Sequence, residues 1–458
     1  MILRLYPSCL HGCVTVPPSK SLLHRELICR RLAGQTTPLP PDAADDVGHT
    51  AAALSLLDVP HPTVYCGDSG STLRFLLPLF MALGRTDAVF TGSPRLLRRP
   101  IPADLGLRIT DAGLTMTRPL RSGTWTLSAA ATSQVVSGLL MALPLLPGPS
   151  DIMLTDEPVS RPYLDMTCRV LRRHGVAVIP TLTGYHIPGG QTYRAAPLLT
   201  APDWSAAAFW LVLSRVQQMC RSGAEEIAVL SPAPAASPAD DLPAAPDAYL
   251  DHFSFSAPTG SPMRKTPFAP SCSSFEDKRP LLAVHDEAKQ EAKPEKNGTD
   301  RKRTGSEILP DFQGDSRIIS YLDDFPAEID LSDTPDLLMP LALYAALQAG
   351  RTTRFTGCGF LRGKESDRPA AVAQVLNTLG AQVAEEPESL VITGVSGLHG
   401  GCVDSFGDHR IAMLAGCAAM LLTDGSVTLT GAEQVTKSYP DFWKELAAIG
   451  GRMEVLAP

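Results

Sequence analysis

Eight cationic side chains lie in or next to two short patterns that recur along the chain. One pattern is a strand-like run, a basic or polar loop and a helix; the other is a cluster of small polar residues that opens an apolar helix. The cations are Lys20, Arg25, Arg74, Arg99, Lys364, Arg368, Arg410 and Lys437. The chain is net acidic, with 40 basic and 48 acidic residues. Cations gathered at equivalent loops of an acidic chain therefore favour a local site for a small polyanion.

Two carboxylates and a histidine lie among these cations. Asp336 follows Pro335 at the start of an apolar helix, Glu365 follows Lys364 in GKESDR, and His409 lies in GDHR. Neighbouring cations lower the pKa of a carboxylate, which suits a base or an orienting group better than a proton donor. A donor role for Glu365 would require compensating burial. His409 could shuttle a proton or position a carboxylate, although a single histidine is more often structural.

The polar helix openings themselves could bind anions. They read PSKS, GDSGST, ATSQ, DWSA, TPDL and GDHR. A helix N-terminus presents unpaired N–H groups and about half a positive charge, which suits an oxyanion. For any single opening, the better interpretation is that the small residue is only an N-cap. The combination of six openings with the cations favours anion binding.

The elements that must position these residues form six units of one repeated pattern. Residues 135–146 and 411–422 are apolar on nearly every face, which predicts helices buried on all sides. The first unit and the unit that contains EIAVL are predicted to have lost a strand pair. Residues 231–307 are rich in Pro, Ala, Ser and mixed charge, so we expect a disordered or loosely ordered surface insertion there. The RKR run at 301–303 is interpreted as solvated charge.

Composition excludes several classes of protein. A chain of 458 residues with 44% hydrophobic residues can form two or three domains. The net charge of −8 argues against binding to nucleic acid or an anionic membrane surface. Ten cysteines without a C-x-x-C pair or a Cys/His cluster predict reduced thiols and no metal site. Because the chain lacks a signal-like N-terminus and a long apolar run, we expect a soluble, cytoplasmic protein.

A set of motifs resembles the enolpyruvyl transferase family, most closely its EPSP synthase branch, between about residues 16 and 445 apart from the insertion. Each motif alone is weak, but together and in this order they are specific. They are P-x-S-K-S-x-x-x-R (to Arg25), S-G-S-T-x-R (to Arg74), R-R-P-I (Arg99), T-S-Q (Thr132 to Gln134), S-R-P-Y (Ser160 to Tyr163), D-T-P-D (Asp336), K-E-S-D-R (Lys364 to Arg368), G-D-H-R-x-A-M (Asp408 to Met413) and K-S-Y-P-D (Lys437 to Asp441).

The resemblance implies a fold and a reaction. The fold is α/β, a two-domain inside-out α/β barrel of six βαβαββ-type repeats, three per domain, with buried helices and outer sheets. The implied boundaries are 17–230 for the first domain, 231–307 for the insertion, and 1–16 with 308–458 for the second domain. The implied reaction moves the enolpyruvyl group of phosphoenolpyruvate to the 5-hydroxyl of shikimate 3-phosphate and releases phosphate. No cofactor and no metal are implied, and we expect a monomer whose partners are these two metabolites.

The resemblance also implies roles for single residues. The expected phosphoenolpyruvate ligands are Lys20, Gly70, Arg99, Gln134, Arg368, Arg410 and Lys437. The expected shikimate 3-phosphate ligands are Ser21, Arg25, Thr132, Ser133, Gln134, Ser160, Tyr163, Asp336 and Lys364. The expected catalytic residues are Lys20, Asp336, Glu365 and His409. Asp46 is expected to support the cleft indirectly.

Two departures from the family pattern leave alternatives open. Asp68 adds a negative charge just before Gly70, where we expect it to weaken phosphate binding, and Thr132 replaces a more usual serine. Asp68 and the shortened units suggest a degenerate, non-catalytic anion-binding homologue, against which the retained Lys20, Asp336 and Glu365 argue. A sister enzyme that uses UDP-N-acetylglucosamine has a reactive cysteine in a first-domain loop, whereas the corresponding loop here, SPRLLRRPI, has none.

Overall fold

The computed structural model describes residues 1–39, 43–99, 101–102, 105–130, 132–220, 227–230 and 313–457. The predicted insertion at 231–307, with its RKR run, lies outside the described residues. Within the described ranges, no helix is both long enough and apolar enough to cross a membrane.

The described residues form helices and strands in alternation. The α-helices are α1 (Lys20–Leu32), α2 (Asp45–Ser55), α3 (Gly70–Ala82), α4 (Pro94–Arg98), α5 (Gln134–Ala142), α6 (Arg161–Arg173), α7 (Trp204–Cys220), α8 (Ile318–Asp323), α9 (Leu338–Ala346), α10 (Arg368–Thr378), α11 (His409–Met420) and α12 (Phe442–Ala448). Short 3-10 helices cover Leu143–Leu145, Gly314–Arg317, Pro335–Leu337, Gly359–Gly363 and Ala432–Lys437. The strands are β1 (Ile2–Tyr6), β2 (Gly12–Thr15), β3 (Thr63–Tyr65), β4 (Val89–Thr91), β5 (Leu107–Thr110), β6 (Gly113–Met116), β7 (Gly123–Leu127), β8 (Ser150–Leu154), β9 (Ile179–Thr181), β10 (Gly184–Ile187), β11 (Ile227–Leu230), β12 (Glu328–Asp330), β13 (Thr352–Thr356), β14 (Gln382–Glu385), β15 (Leu390–Thr393), β16 (Leu398–Asp404), β17 (Leu422–Thr430) and β18 (Arg452–Ala457).

Four sheets of four strands repeat one topology. Their strand orders are β3-β4-β6-β5, β7-β8-β10-β9, β12-β13-β15-β14 and β16-β17-β1-β18. In each sheet the first two strands are parallel and the other pairs are antiparallel. Each parallel pair is connected through one helix, namely α3, α5, α9 or α11, as a parallel crossover requires. A separate sheet of two strands joins β2 to β11 in parallel.

Two hydrophobic cores underlie these sheets. The first core is built from residues between Leu22 and Tyr193, and the second from Leu3–Val16, Ala206–Ile227 and Ile318–Ile449. Helix α7 and strand β11, which the sequence analysis assigns to the first domain, therefore pack in the second core. Pairing of β11 with β2 explains this placement, because β2 already belongs to the second core.

The chain passes between the cores at two adjacent segments. The N–H of Ser19 donates to the carbonyl of Ala201 at 2.7 Å, and the N–H of Asp203 donates to the carbonyl of Pro17 at 2.9 Å. An isolated antiparallel bridge joins Pro18 to Pro202 between them. The two crossings are thus tied to each other by backbone hydrogen bonds, although almost the whole first core separates them in sequence.

Helices α9 and α11 are buried on all sides. All twelve residues of α11 and all nine of α9 are buried. The predicted burial of 135–146 and 411–422 is confirmed, since Leu145 and Leu421 alone in these ranges are partly exposed. Because these helices are apolar along their lengths, their polar chemistry is confined to their ends.

Candidate active site

One cavity of about 180 Å³ collects side chains from segments of both cores. Seven cations and three carboxylates line it, so the lining is net positive. The cations are Lys20, Arg25, Arg74, Arg99, Lys364, Arg368 and Arg410, and the carboxylates are Asp46, Asp336 and Glu365. Every site residue expected from the sequence lines this cavity except Lys437, whose ammonium lies 3.4 Å from the Glu365 carboxylate.

Five helices begin at a residue that lines the cavity. These residues are Lys20 of α1, Gly70 of α3, Gln134 of α5, Arg368 of α10 and His409 of α11. The first N–H groups of a helix have no intrahelical partner and carry partial positive charge. The cavity therefore receives positive potential from the backbone as well as from side chains.

The small polar residues at these helix ends divide into two groups. Ser69, Asp367 and Asp408 act as N-caps, since their side chains accept from the N–H groups of Thr72, Ala370 and Arg410, respectively. Ser133 and Ser160, at the N-caps of α5 and α6, make no such bond. The capping interpretation therefore does not account for Ser133 and Ser160, whose hydroxyls are available to the cavity.

Ser160 has an unusual backbone conformation. Its φ of 58° lies in the left-handed region, which is strained for a residue other than glycine. Its N–H donates at 2.6 Å to the carbonyl of Ser332, which precedes the Asp336 turn. This bond connects the start of α6 with the segment that carries Asp336.

Asp336 is held between two arginines. Its Oδ1 accepts from Nη1 of Arg368 and its Oδ2 from Nη2 of Arg410, both at 2.8 Å. Burial alone would raise the pKa of Asp336, but Arg410 and Arg368 outweigh burial and lower this pKa to about 2. Asp336 is therefore ionised and can accept a proton from a hydroxyl group placed beside it.

Glu365 contacts two further cations. Its Oε2 accepts from Nη2 of Arg368 at 2.9 Å, and its Oε1 lies 3.4 Å from Nζ of Lys437. Burial raises the pKa of Glu365, whereas Lys437, Arg368 and Arg99 together lower it well below its ordinary value. The side chain of Glu365 is thus largely but not fully buried, at 12% exposure, and the surrounding cations keep it ionised.

Lys20 has a carboxylate partner, whereas the ring of His409 has no hydrogen-bond partner among the described residues. Nζ of Lys20 donates at 3.0 Å to Oδ2 of Asp46 and thereby remains at the cavity wall. Burial tends to raise the pKa of Asp46, and Lys20 together with Lys437 lowers it. Burial, and then Lys20 and Arg410, lower the pKa of His409 well below its ordinary value. Both ring nitrogens of this neutral histidine lack a hydrogen-bond partner among the described residues.

Arg25 and Arg99 are buried guanidinium groups, neither of which donates a hydrogen bond to a carboxylate among the described residues. Arg25 donates to Oγ1 of Thr167 at 2.7 Å and to the backbone carbonyls of Ser21 and Tyr163. Nε and Nη2 of Arg99 have no hydrogen-bond partner in the described structure, and Nη2 lies 3.9 Å from Oδ2 of Asp68. Burying a cation without a hydrogen-bonded counter-charge is costly, so both positions suit an anionic ligand.

Lys364 lies on the second-core side of the cavity. Burial lowers the pKa of its ammonium to about 8, partly offset by Asp336. Its Nζ lies 5.2 Å from the ring centroid of Phe360, and its backbone carbonyl accepts from Arg95. Arg95 belongs to α4, so this hydrogen bond also connects segments of the two cores.

Gly70 is surrounded by polar side chains. A Cβ atom at this position would lie 2.9 Å from Nη1 of Arg74 and from Oε1 of Gln134, and 3.0 Å from Nη1 of Arg99. Gln134 accepts from Arg74 at 3.1 Å and donates to Oγ of Ser71 at 3.2 Å. Glycine is therefore the residue that leaves the start of α3 open to a ligand.

Comparison with known proteins gives a consistent result. A family model described as EPSP synthase (3-phosphoshikimate 1-carboxyvinyltransferase) matches residues 44–220 and 311–446. The chain belongs to the EPSP synthase family. A 3-phosphoshikimate 1-carboxyvinyltransferase of Clostridium kluyveri is 32% identical over 98% of this chain and 97% of its own length. One of Clostridium acetobutylicum is 30% identical over the same shares.

Solved structures of the EPSP synthase family share the fold. EPSP synthase from Acinetobacter baumannii superposes with a TM-score of 0.63 at 18% identity, covering 99% of this chain and 100% of that one. At this identity the likeness concerns the fold alone.

Sequence reasoning missed one titratable group, which lies next to two residues of the cavity wall, Tyr163 and Asp336. Asp315 is fully buried, and its Oδ2 accepts from the hydroxyls of Ser205 and Tyr163. Burial, and then the charge of Asp336, raise the pKa of Asp315 to about 7. The only sequence signal for Asp315 is its position in QGDS, a small polar cluster before the helical run IISYL.

Two further hydroxyl side chains, those of Thr132 and Ser21, line the cavity. Thr132 accepts from the N–H of Gln134 at 3.2 Å, and Ser21 lines the cavity beside Arg25. Among the described residues, no group of three or more His, Cys, Asp or Glu side chains is arranged as a metal site. The donor set of the cavity is cationic, which suits anionic ligands.

Proposed function

We propose that this protein transfers the enolpyruvyl group of phosphoenolpyruvate to the 5-hydroxyl of shikimate 3-phosphate. The products are 5-enolpyruvylshikimate 3-phosphate and phosphate. The observation that carries this proposal is the convergence of cations from both cores on one cavity that also holds two ionised carboxylates, Asp336 and Glu365. Membership of the EPSP synthase family supports the choice of substrates.

Phosphoenolpyruvate is assigned to the side of the cavity near α3 and α10. The proposed ligands of its phosphate and carboxylate are Lys20, Gly70, Arg99, Gln134, Arg368, Arg410 and Lys437. Nε and Nη2 of Arg99 support this assignment, because neither has a hydrogen-bond partner in the described part of the chain and a bidentate anion would satisfy both. The lack of a side chain at Gly70 supports it further, since an anion could approach the free N–H groups of α3 without meeting a Cβ atom.

Shikimate 3-phosphate is assigned to the side near α1, α5 and α6. The proposed ligands are Ser21, Arg25, Thr132, Ser133, Gln134, Ser160, Tyr163, Asp336 and Lys364. Hydroxyls at Ser133 and Ser160 that do not cap their own helices support a phosphate position there. The lack of a close carboxylate on Arg25 supports it as well, because a bound anion would neutralise that buried cation.

The proposed chemistry proceeds by proton transfer at two positions. Glu365 or Lys20 gives a proton to C3 of phosphoenolpyruvate, while O5 of shikimate 3-phosphate attacks C2 and gives its own proton to Asp336. The tetrahedral intermediate then loses phosphate and the added proton of C3, which restores the double bond. Phosphoenolpyruvate adds negative charge beside Lys437, Arg368 and Arg99, so its binding raises the pKa of Glu365 and enables donation. His409 is proposed as a neutral group that positions the carboxylate of phosphoenolpyruvate, since it lines the cavity and both of its ring nitrogens lack a hydrogen-bond partner among the described residues.

The two cores are proposed to correspond to the two domains of an inside-out α/β barrel, with the buried helices inside and the sheets outside. The boundary then falls at the paired crossings near residues 17–20 and 201–203, so that α7 and β11 belong to the second domain. Closure of the two domains around both anions would exclude water from the reaction.

A phosphate-release assay with each acceptor tests this function. Phosphate should be released from phosphoenolpyruvate only when shikimate 3-phosphate is present. Equal turnover with UDP-N-acetylglucosamine would overturn the substrate assignment. Binding of both anions without any turnover would favour a non-catalytic homologue instead.

A further inference from the structure

Asp68 lies immediately before the N-cap of α3, close to Arg99 and Lys437. Its Oδ1 accepts from Oγ of Ser93 at 2.7 Å, and its Oδ2 accepts from Nζ of Lys437 at 2.8 Å. Lys437 also donates to the backbone carbonyl of Asp68 at 3.1 Å. The carboxylate of Asp68 is therefore fixed by a first-core hydroxyl and aimed at a second-core ammonium.

Lys437 is already surrounded by negative charge. Its ammonium lies between Asp68 at 2.8 Å and Glu365 at 3.4 Å, and its side chain is only 10% exposed. Burial lowers the pKa of Lys437, but Glu365, Asp46 and Asp68 outweigh burial and raise it. These carboxylates already neutralise the positive charge of the ammonium. A phosphate that approaches Lys437 is therefore attracted less strongly and is repelled by the carboxylates.

Arg99 provides the contrast within the same site. Its Nε and Nη2 have no hydrogen-bond partner among the described residues, and Nη2 lies 3.9 Å from Oδ2 of Asp68. Of these two cations, Arg99 can still donate hydrogen bonds to a ligand, whereas Lys437 already donates to Asp68. Loss of the Asp68 charge should therefore affect anion binding by Lys437 more than anion binding by Arg99.

We propose that the carboxylate of Asp68 is an internal counter-anion that competes with the phosphate of the substrate, and with the released phosphate, for Lys437. This proposal rests on the proposed function where it names phosphoenolpyruvate. The competition sets a low affinity for phosphate and thereby favours departure of the product. Asp68 is thus a residue that tunes anion affinity, and it need not mark a degenerate site.

Asp68→Asn tests the proposal because asparagine keeps an oxygen acceptor for Ser93 and removes the charge. We expect the Kd of inorganic phosphate, measured by calorimetry, and the KM of phosphoenolpyruvate to fall about 3- to 10-fold, the scale of a partly exposed ion pair. Product inhibition by phosphate should strengthen in parallel. If Asp68 instead positions Lys437 for the substrate, KM will rise and kcat will fall, and the proposal is wrong.

Three comparisons make the result specific. Asp68→Glu keeps the charge and should not lower either constant. Asp58→Asn removes an exposed carboxylate that pairs with Arg31, and should leave both constants unchanged. In a Lys437→Met background, Asp68→Asn should give no further gain; a full gain there would show a general charge effect and overturn competition for Lys437.

Separate measurements distinguish a change in phosphate affinity from a folding defect and from failure of the proposed function. Thermal unfolding shows whether Asp68→Asn is folded, and Asp68→Ser is a second charge-removing variant for which the same fall in both constants is expected. Absence of turnover in the unmodified protein would overturn the proposed function. The phosphate Kd would still decide the proposal, since no gain in affinity on removal of the Asp68 charge overturns it.

Discussion

The phenol of Tyr163 donates to the carboxylate of Asp315 across 3.3 Å, although Tyr163 belongs to α6 beside the first core and Asp315 precedes α8 of the second. The same hydroxyl lies 3.5 Å from Oδ2 of Asp336. Two carboxylates thus face one hydroxyl, which has a single proton to donate. This arrangement favours one ionised and one protonated carboxyl group.

Asp315→Asn should therefore change the pH dependence of stability. Burial, with the Asp336 charge, raises the pKa of Asp315 to about 7, above its value in the unfolded chain. As pH rises from about 4 to about 7, the unfolded state loses this proton before the folded state, so the wild-type protein loses stability. Asparagine does not titrate, so the Tm of the variant lacks this loss. The Tm of the variant minus the Tm of wild type should therefore increase as pH rises from about 4 to about 7, and should stay constant above about pH 7.

Tm measured at intervals between pH 4 and 8 checks this prediction. Asp323→Asn, at the exposed end of α8, is the matched control and should show a constant difference from wild type. A pH-independent difference for Asp315→Asn would mean that Asp315 is ionised in the folded protein.

Arg368→Lys should strongly destabilise the protein. Arg368 donates to Asp336 at 2.8 Å and to Glu365 and Asp408 at 2.9 Å, and lysine cannot reproduce these three directed bonds. Breaking a buried ion pair costs about 3–5 kcal/mol, and here the loss falls mainly on the fully buried Asp408, because Arg410 and Lys437 still contact Asp336 and Glu365. Urea denaturation should show this loss of unfolding free energy. The control Arg354→Lys affects the exposed pair with Glu386 and should leave the midpoint nearly unchanged.

Glu365→Gln should lower kcat about 10²-fold or more if Glu365 is the proton donor to the methylene carbon. Glutamine has nearly the same shape but cannot give up a proton as an acid, so KM for phosphoenolpyruvate should change much less than kcat. Steady-state kinetics with both substrates separates the two constants. Glu386→Gln, at the surface, should match wild type; a kcat within a few-fold of wild type for Glu365→Gln would assign the donor elsewhere, with Lys20 next.

Gly70→Ala should raise KM for phosphoenolpyruvate while the protein remains folded. The added Cβ would press on Arg74, Gln134 and Arg99 at 2.9–3.0 Å, and all three contacts are ends of flexible side chains that can move. Their displacement disturbs the anion ligands and spares the helix. Gly48→Ala, within α2, meets nothing within 4 Å and should leave KM unchanged while stabilising that helix by about 0.5–1 kcal/mol. Unchanged KM for Gly70→Ala would contradict the assigned anion position.

The sequence predicted those features that depend on residues close together in the chain. The apolar faces of α5 and α11 indicated burial on all sides, and the recurring loops indicated which cations share a site. The placement of β11 was not predictable in this way, because its partner β2 lies more than 200 residues earlier and strand pairing at that distance has no local signature. Asp315 was missed for a related reason: its raised pKa comes from Asp336 and from burial, which only the folded chain supplies.

For Asp68, the sequence predicted the effect of the charge but did not predict the residue that it contacts. Its charge is evident in the sequence, and weaker phosphate binding was expected from it. The identity of its partner was not, since Lys437 follows 369 residues later and only the folded structure brings the two together.

The position of β1 has a consequence for synthesis on the ribosome. This strand forms the middle of its sheet between β17 and β18, with Leu3 opposite Leu429 and Val455. Both of its partners lie more than 400 residues later in the chain, so they are translated long after it. The two hydrogen-bonding edges of β1 must therefore remain unpaired, and open to chaperones or to aggregation, until β17 and β18 have been made.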